Sequence, residues 1–157
     1  MGSKSEVKSK NQNCTPQDLI QVCRRLYAAI DRLDTRAASL AQVTRNDLRC
    51  LNLLAEHPVK PSVIAKELGL TTGSVTSLLD RLERAKFIRR KRDPDDRRGV
   101  IIHPTGHLFK TLGPLYRSTA DELAKRAATY QQSQLNDAVK YLRDAVEAYE
   151  FSVSQNQ

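Results

Sequence analysis

Residues 61–99 read PSVIAKELGLTTGSVTSLLDRLERAKFIRRKRDPDDRRG, and the fold is decided in this stretch. Pro61 and Ser62 open a short helix, since proline at the first helical position forfeits no hydrogen bond. Gly69 stops it, because glycine takes positive φ without a Cβ clash. Thr71 or Thr72 caps the next helix, whose apolar positions Val75, Leu78, Leu79 and Leu82 recur at spacings of three and four. Phe87-Ile88-Arg89-Arg90 and Val100-Ile101-Ile102 read as two short strands. Between them DPDDRRG supplies the Pro, Asp and Gly that a hairpin turn needs.

The spacing within Pro61–Leu79 has a mechanical logic. Ala65 is small enough to let two helices cross closely, Gly69 makes the turn, and Val75 pins the second helix to the first. Ile64, Leu68, Leu70 and Leu78 fill in around it. The pattern predicts a helix-turn-helix followed by a basic hairpin, the order of a winged helix-turn-helix. The bland alternative, an ordinary helical hairpin in a bundle, leaves the hairpin's charge unexplained.

That charge is concentrated. Residues 81–98 hold nine bases (Arg81, Arg84, Lys86, Arg89, Arg90, Lys91, Arg92, Arg97 and Arg98) against four acids, Glu83, Asp93, Asp95 and Asp96. The whole chain carries a net charge of +8 and a pI near 9.6, which favours a polyanionic partner. Residues 118–157, with six acids and four bases, lean the other way. On the second helix of the pair, the hydroxyls of Thr71, Thr72, Ser74, Thr76 and Ser77, together with Arg81, suit close approach to phosphates and base edges in a major groove. Ser62, at the start of the preceding helix, joins this set. Arg89, Arg90, Lys91 and Arg92 can meet phosphates, and Arg97 or Arg98 sits at the hairpin tip, where an arginine enters a narrow minor groove. Asp96, two residues before Arg98, can brace that guanidinium by a fork-like pair.

Outward from this core the chain reads as helices. Residues 1–13 are polar and are expected to form a disordered tail. Thr15-Pro16 starts a first helix with Leu19, Val22, Cys23, Leu26, Ile30 and Leu33 on one face, ending near Arg36 to Leu40. Thr44, with Asp47 three residues on, is close to a capping box for a second helix; Leu48, Leu51, Leu54 and Ala55 are its inner face. After the hairpin, Thr105 can cap a long helix from Gly106 to about Tyr130, which Gly113-Pro114 should kink or interrupt. A last helix, roughly Ser133 to Phe151, carries Leu135, Ala138, Val139, Leu142, Ala145, Val146 and Tyr149 in a near-heptad rhythm fit for a partner helix. The expected class is mainly α, in the order α-α-α-α-β-β-α-α. At 157 residues, with 39% hydrophobic and 5% aromatic residues and no Trp, the chain can build an aliphatic, helix-rich core.

Other chemistry is not signalled. The three cysteines, Cys14, Cys23 and Cys50, are odd in number with no CxxC spacing, which predicts a reduced cytoplasmic setting. The N-terminus lacks an apolar signal region and fails the myristoylation pattern, and no run of eighteen apolar residues exists. No GxSxG, P-loop, HExxH or GxGxxG occurs, so no enzyme and no cofactor are expected. His103 and His107 straddle a strand end and a proline, and His57 is isolated, so no metal site is expected either.

Taken together, TTGSVTSLLDRLERAKFIRRKRDPDDRRGVII (residues 71–102) resembles the MarR family of transcriptional regulators. The run from LLDRLE through the tip DPDDRR is its most specific piece. The resemblance implies a homodimeric regulator, most often a repressor, that presents two winged helices to a pseudo-palindromic double-stranded DNA operator. It implies a helical dimerisation region from residues 14–40 and 105–153, and a DNA-binding winged helix from 41–104. Ser74, Thr76 and Ser77 then fall in the major-groove helix, and Asp96 and Arg98 match the wing-tip Asp-x-Arg pair. Where many members read Leu-Thr and then Gly after the second strand, this chain reads His103-Pro104-Thr105-Gly106-His107.

Such proteins often capture small aromatic or phenolic acids, lowering DNA affinity by favouring a wrong spacing of the two recognition helices. Arg24, Arg25 and Tyr27 offer partners for such a carboxylate. CRRLYA, beginning at Cys23, is also similar to the first helix of organic-peroxide-sensing members, which would make Cys23 a redox switch. The second helix, VTRNDLRCLNLL, lacks the tyrosines those sensors use, and Cys23 lies on an apolar stripe where a structural cysteine is the commoner outcome. A winged helix that binds protein instead of DNA is the remaining alternative; it would not require the arginine-rich wing.

Overall fold

Thr15 and Thr44 each begin a helix by the same reciprocal device. In each case the threonine hydroxyl accepts from the third residue's amide while that residue's carboxylate accepts from the threonine amide. The computed structural model describes residues 14–94, 96 and 99–155. Its elements are α1 (Pro16–Ala41), α2 (Arg45–Glu56), α3 (Pro61–Leu68), α4 (Thr72–Arg84), β1 (Ile88–Arg92), β2 (Val100–Pro104), α5 (Gly106–Ala127) and α6 (Gln132–Ser154). The order is the one the sequence predicts, and the chain divides into two compact units between Thr105 and Gly106.

In the first unit, Gly69 closes α3 at φ 66°, and the amide of Leu70 returns to the carbonyl of Ala65 at 2.9 Å. Thr71, not Thr72, caps α4 by accepting from the amide of Ser74. The core is aliphatic: Leu48, Cys50, Leu51 and Leu54 of α2, Ile64 and Leu68 of α3, and Val75, Leu78, Leu79 and Leu82 of α4 are buried. Phe87, Ile88 and Ile102 close it from the hairpin side. Ala65 is half-buried where α3 meets α4. From α1, the small residues Ala37 and Ala41 are buried, so its last turns pack on α2.

β1 and β2 pair antiparallel, with Arg89 opposite His103 and Arg90 opposite Ile102. Val59 adds one antiparallel bridge to Ile102, with reciprocal bonds of 3.2 and 2.8 Å. This bridge ties the chain before α3 to the hairpin. β1 begins one residue later and ends two residues later than expected, because pairing follows backbone register and not side-chain polarity, while β2 begins at Val100 as expected and runs to Pro104, where proline and Thr105 end it.

In the second unit, α5 runs through Gly113-Pro114 as one helix, so of the expected kink or interruption the interruption does not occur. Leu108 and Leu112 are its buried residues. In α6 no residue is buried, and Val139, Leu142, Val146, Tyr149, Phe151 and Val153 are exposed. α1 shows a similar exposed set: Leu19, Ile20, Val22, Leu26, Tyr27 and Ile30. No helix among the described residues is long and apolar enough to cross a membrane.

Candidate nucleic-acid interface

The sequence candidates on α4 share an exposed surface. Thr71, Thr72, Ser74, Thr76, Ser77 and Arg81 are all exposed, as is Ser62 on α3. Ser74, Ser77 and Arg81 recur at helical spacing on one side of α4. With Thr44, Asn46 and Gly73 they line an open, polar cleft of about 420 Å³ between the N-terminal ends of α2 and α4. Unpaired amides at a helix start carry partial positive charge, so this cleft favours an anion. Three of these hydroxyls are already engaged locally. Thr71 Oγ1 lies 2.9 Å from Ser74 Oγ, and Thr76 Oγ1 donates to the carbonyl of Thr72 at 3.0 Å.

Arg81 is held from beneath. Its Nη2 donates to Oδ1 of Asp47 at 2.7 Å, while the other carboxylate oxygen of Asp47 accepts from the amide of Thr44 at 3.1 Å. Asp47 is buried, yet the Arg81 side chain remains 47% exposed. One residue therefore caps α2 and anchors a cation of α4. The capping role of Asp47 was legible in the sequence; its grip on a side chain 34 residues away was not.

The hairpin is braced to α4 by Arg90. Its guanidinium donates to Asp80 at 2.6 Å and to Glu83, and its amide donates to the second Glu83 oxygen at 3.1 Å. Burial works against the charge of Arg90, but these bonds and the two carboxylates together hold its pKa above the usual guanidinium value. Arg90, expected as a phosphate contact, thus commits both terminal nitrogens of its guanidinium to carboxylates of α4. Arg89, Lys91 and Arg92 are exposed. A second brace joins Lys60, just before α3, to the buried Asp93 after β1, with Nζ 2.7 Å from Oδ2.

At the hairpin tip the amide of Asp93 donates to the carbonyl of Gly99 at 3.0 Å, and the amide of Gly99 donates to the carbonyl of Asp96 at 2.8 Å. A Cβ at Gly99 would stand 2.9 Å from Cβ of Asp93 and 3.1 Å from Cβ of Asp96. The residue must therefore lack a side chain for the tip to close. Asp96 is exposed. Arg97 and Arg98, and with them the expected Asp96–Arg98 brace, lie outside the described residues.

The other candidates lie elsewhere. Arg24, Arg25 and Tyr27 are exposed on α1 and Cys23 is half-buried there; none of them lines the cleft. Cys50 is buried, and burial, with the charge of Asp47, pushes its thiol up to about 12. Among the described residues no cluster of three or more His, Cys, Asp and Glu could hold a metal ion. His103 is shifted below its usual pKa, first by burial and then by Lys91 and Arg89.

The helix-turn-helix of α3 and α4 with an attached two-stranded wing defines a winged helix-turn-helix protein. Comparison with known proteins narrows this class. The family model described as MarR family matches residues 41–99. Over 132 residues the chain is 30% identical to the uncharacterized HTH-type transcriptional regulator YcgE of Bacillus subtilis, covering 83% of this chain and 86% of that protein. It is 32% identical over 95 residues to the HTH-type transcriptional regulator MgrA of Staphylococcus aureus, covering 60% of this chain and 63% of MgrA. The fold also matches the crystal structure of the S. aureus MepR–DNA complex, with a TM-score of 0.53 and 23% identity over 80% of this chain and 98% of that one. The chain belongs to the MarR family: it is a helix-turn-helix transcriptional regulator and not an enzyme.

Proposed function

We propose that this regulator is a homodimeric, sequence-specific DNA-binding repressor acting in the cytoplasm on a pseudo-palindromic double-stranded operator. The observation that carries the reading is the pairing of an exposed hydroxyl-lined face on α4 with a cationic hairpin clamped to that same helix by Arg90, Asp80 and Glu83. A helix in the major groove and a wing along the neighbouring backbone need a fixed mutual angle, and the clamp supplies it. The neighbour solved as a DNA complex supports the same mode of use.

In this reading Ser62, Thr71, Thr72, Ser74, Thr76, Ser77 and Arg81 face the groove. Arg89, Lys91 and Arg92 meet phosphates, and Arg97 and Arg98, with Asp96 bracing, extend the wing on sequence grounds. Residues 41–104 act as the DNA-binding domain, while 14–40 and 105–153 form the dimer. The exposed apolar residues of α1 and α6 support that division, because stripes of this length stay in water only at a cost that a partner removes. A small aromatic or phenolic effector, with Arg24, Arg25 and Tyr27 as candidate partners, would lower affinity by shifting the spacing of the two α4 helices.

Sedimentation velocity and fluorescence anisotropy test the proposal together. The expected species is a dimer that binds random 30-base-pair duplex at low salt, with affinity falling steeply as salt rises. It should also enrich a two-fold-symmetric sequence from a randomised pool. A monomer, or binding indifferent to salt, overturns it.

A further inference from the structure

We infer that Asp47 is a positioning residue for DNA readout, which holds Arg81 in one preset direction across the α2–α4 cleft and withholds part of its charge from indiscriminate phosphate binding. The inference rests on the DNA-binding reading above. Asp47 is itself immobile: its amide donates to Thr44 Oγ1 at 3.2 Å and its Oδ2 accepts from the Thr44 amide at 3.1 Å, and only 4% of its side chain is exposed. Its second oxygen takes one Arg81 nitrogen at 2.7 Å. A guanidinium has five donors in a planar fork. One contact from a rigid carboxylate therefore restrains where the guanidinium lies while leaving donors on the exposed side, beside Ser74 and Ser77 in the same cleft.

Two consequences follow from the chemistry. An arginine whose rotamer is already set loses little freedom on meeting its target, so a base edge or phosphate in the right place gains and one in the wrong place does not. An arginine already paired with a carboxylate also releases fewer counterions from random DNA. Asp47 thus exchanges raw affinity for discrimination.

Asp47→Asn tests this, because asparagine keeps an acceptor for the Thr44 amide while removing the charge that grips Arg81. Binding is measured on a random 30-base-pair duplex and on the best sequence selected from a randomised pool, across a salt series. For D47N the expected result is tighter binding to random duplex by about three- to ten-fold. The log–log salt slope should steepen by up to about 0.9, and the selected-over-random ratio should fall about ten-fold. In an Arg81→Ala background D47N should change none of these. Arg81→Lys, which leaves α2 untouched, should lose discrimination, since an ammonium is a point charge without a fork. Equal weakening on both duplexes by D47N, a D47N effect that survives in R81A, or full discrimination in R81K overturns the positioning role while leaving DNA binding standing. Wild-type protein that binds no duplex at low salt overturns both.

Discussion

Lys60 reaches from the residue before α3 to the carboxylate of Asp93 after β1, its Nζ 2.7 Å from an Oδ2 that is almost wholly buried. The wing is thereby tied to the helix-turn-helix at its base as well as along its length. Lys60→Met takes the cation away from a buried carboxylate and should cost about 1–3 kcal/mol of stability in urea unfolding. Adding Asp93→Asn should restore most of it. A double variant no more stable than the single one would show that the pair is not what Asp93 needs.

Arg90 and Arg89 are adjacent on β1, yet they should respond oppositely to salt. Arg90 is consumed by Asp80 and Glu83, so Arg90→Ala should lower operator affinity by loosening the wing, with the salt slope unchanged. Arg89 is exposed, and Arg89→Ala should reduce that slope by about 0.9, one phosphate contact. Anisotropy titrations at four or five salt concentrations distinguish the two; a reduced slope in R90A would return Arg90 to the contact set.

Lys86, two residues past the end of α4, sits at φ 63°, its amide donating to the carbonyl of Glu83 and the amide of Phe87 to the carbonyl of Leu82. This left-handed conformation strains a residue with a Cβ and suits glycine. Lys86→Gly should therefore stabilise the protein by about 1 kcal/mol in chemical denaturation. A loss of stability would mean that the lysine side chain contributes more than its backbone costs.

Cys50 should remain a thiol throughout the neutral range, since burial raises its pKa to about 12. With a disulfide reagent at pH 8, the exposed Cys14 should react at once and Cys50 only after unfolding. Rapid modification of Cys50 in the native protein would reveal local opening of α2. Cys23→Ser is expected to leave DNA binding and its response to organic peroxide unaltered; a peroxide response lost in C23S would instead make Cys23 a switch.

His103 lies opposite Arg89 in the sheet, and its pKa falls below the usual 6.5 through burial, Lys91 and Arg89. It is therefore neutral at pH 7 in the free protein. Because the folded value is the lower one, its contribution to stability is present above about pH 6.5 and is lost as pH falls through the folded pKa. Phosphates arriving beside Arg89 and Lys91 would push that pKa up again. Binding should then take up protons and tighten as pH drops from 7 toward 6, and His103→Gln should flatten this dependence. An identical pH profile in the variant would place the wing face away from phosphates.

Much of the architecture was legible because it is local. Thr15, Thr44 and Gly69 act within four residues of where they stand, and the apolar spacing in Val75–Leu82 marks a buried face wherever the helix docks. The end of β1 is less local: the strand runs past Arg90 to Arg92, paired with Val100, because the ladder depends on both strands and the turn together. Gly113-Pro114 predicts a kink or an interruption, and α5 continues through it as one helix.

The sequence by itself determined the order of elements, the turn at Gly69, the aliphatic core and the basic charge of the hairpin. Only the tertiary structure decided what each charge does. Arg81 and Asp47 are 34 residues apart, and Arg90 stands seven residues from Glu83 and ten from Asp80. Arginines that look alike in RLERAKFIRRKR separate into braces and free cations once α2, α4 and the wing converge. Periodicity reports which face of one helix avoids water. Whether a guanidinium meets a carboxylate or solvent depends on a few ångströms between different elements, and no local pattern encodes that distance.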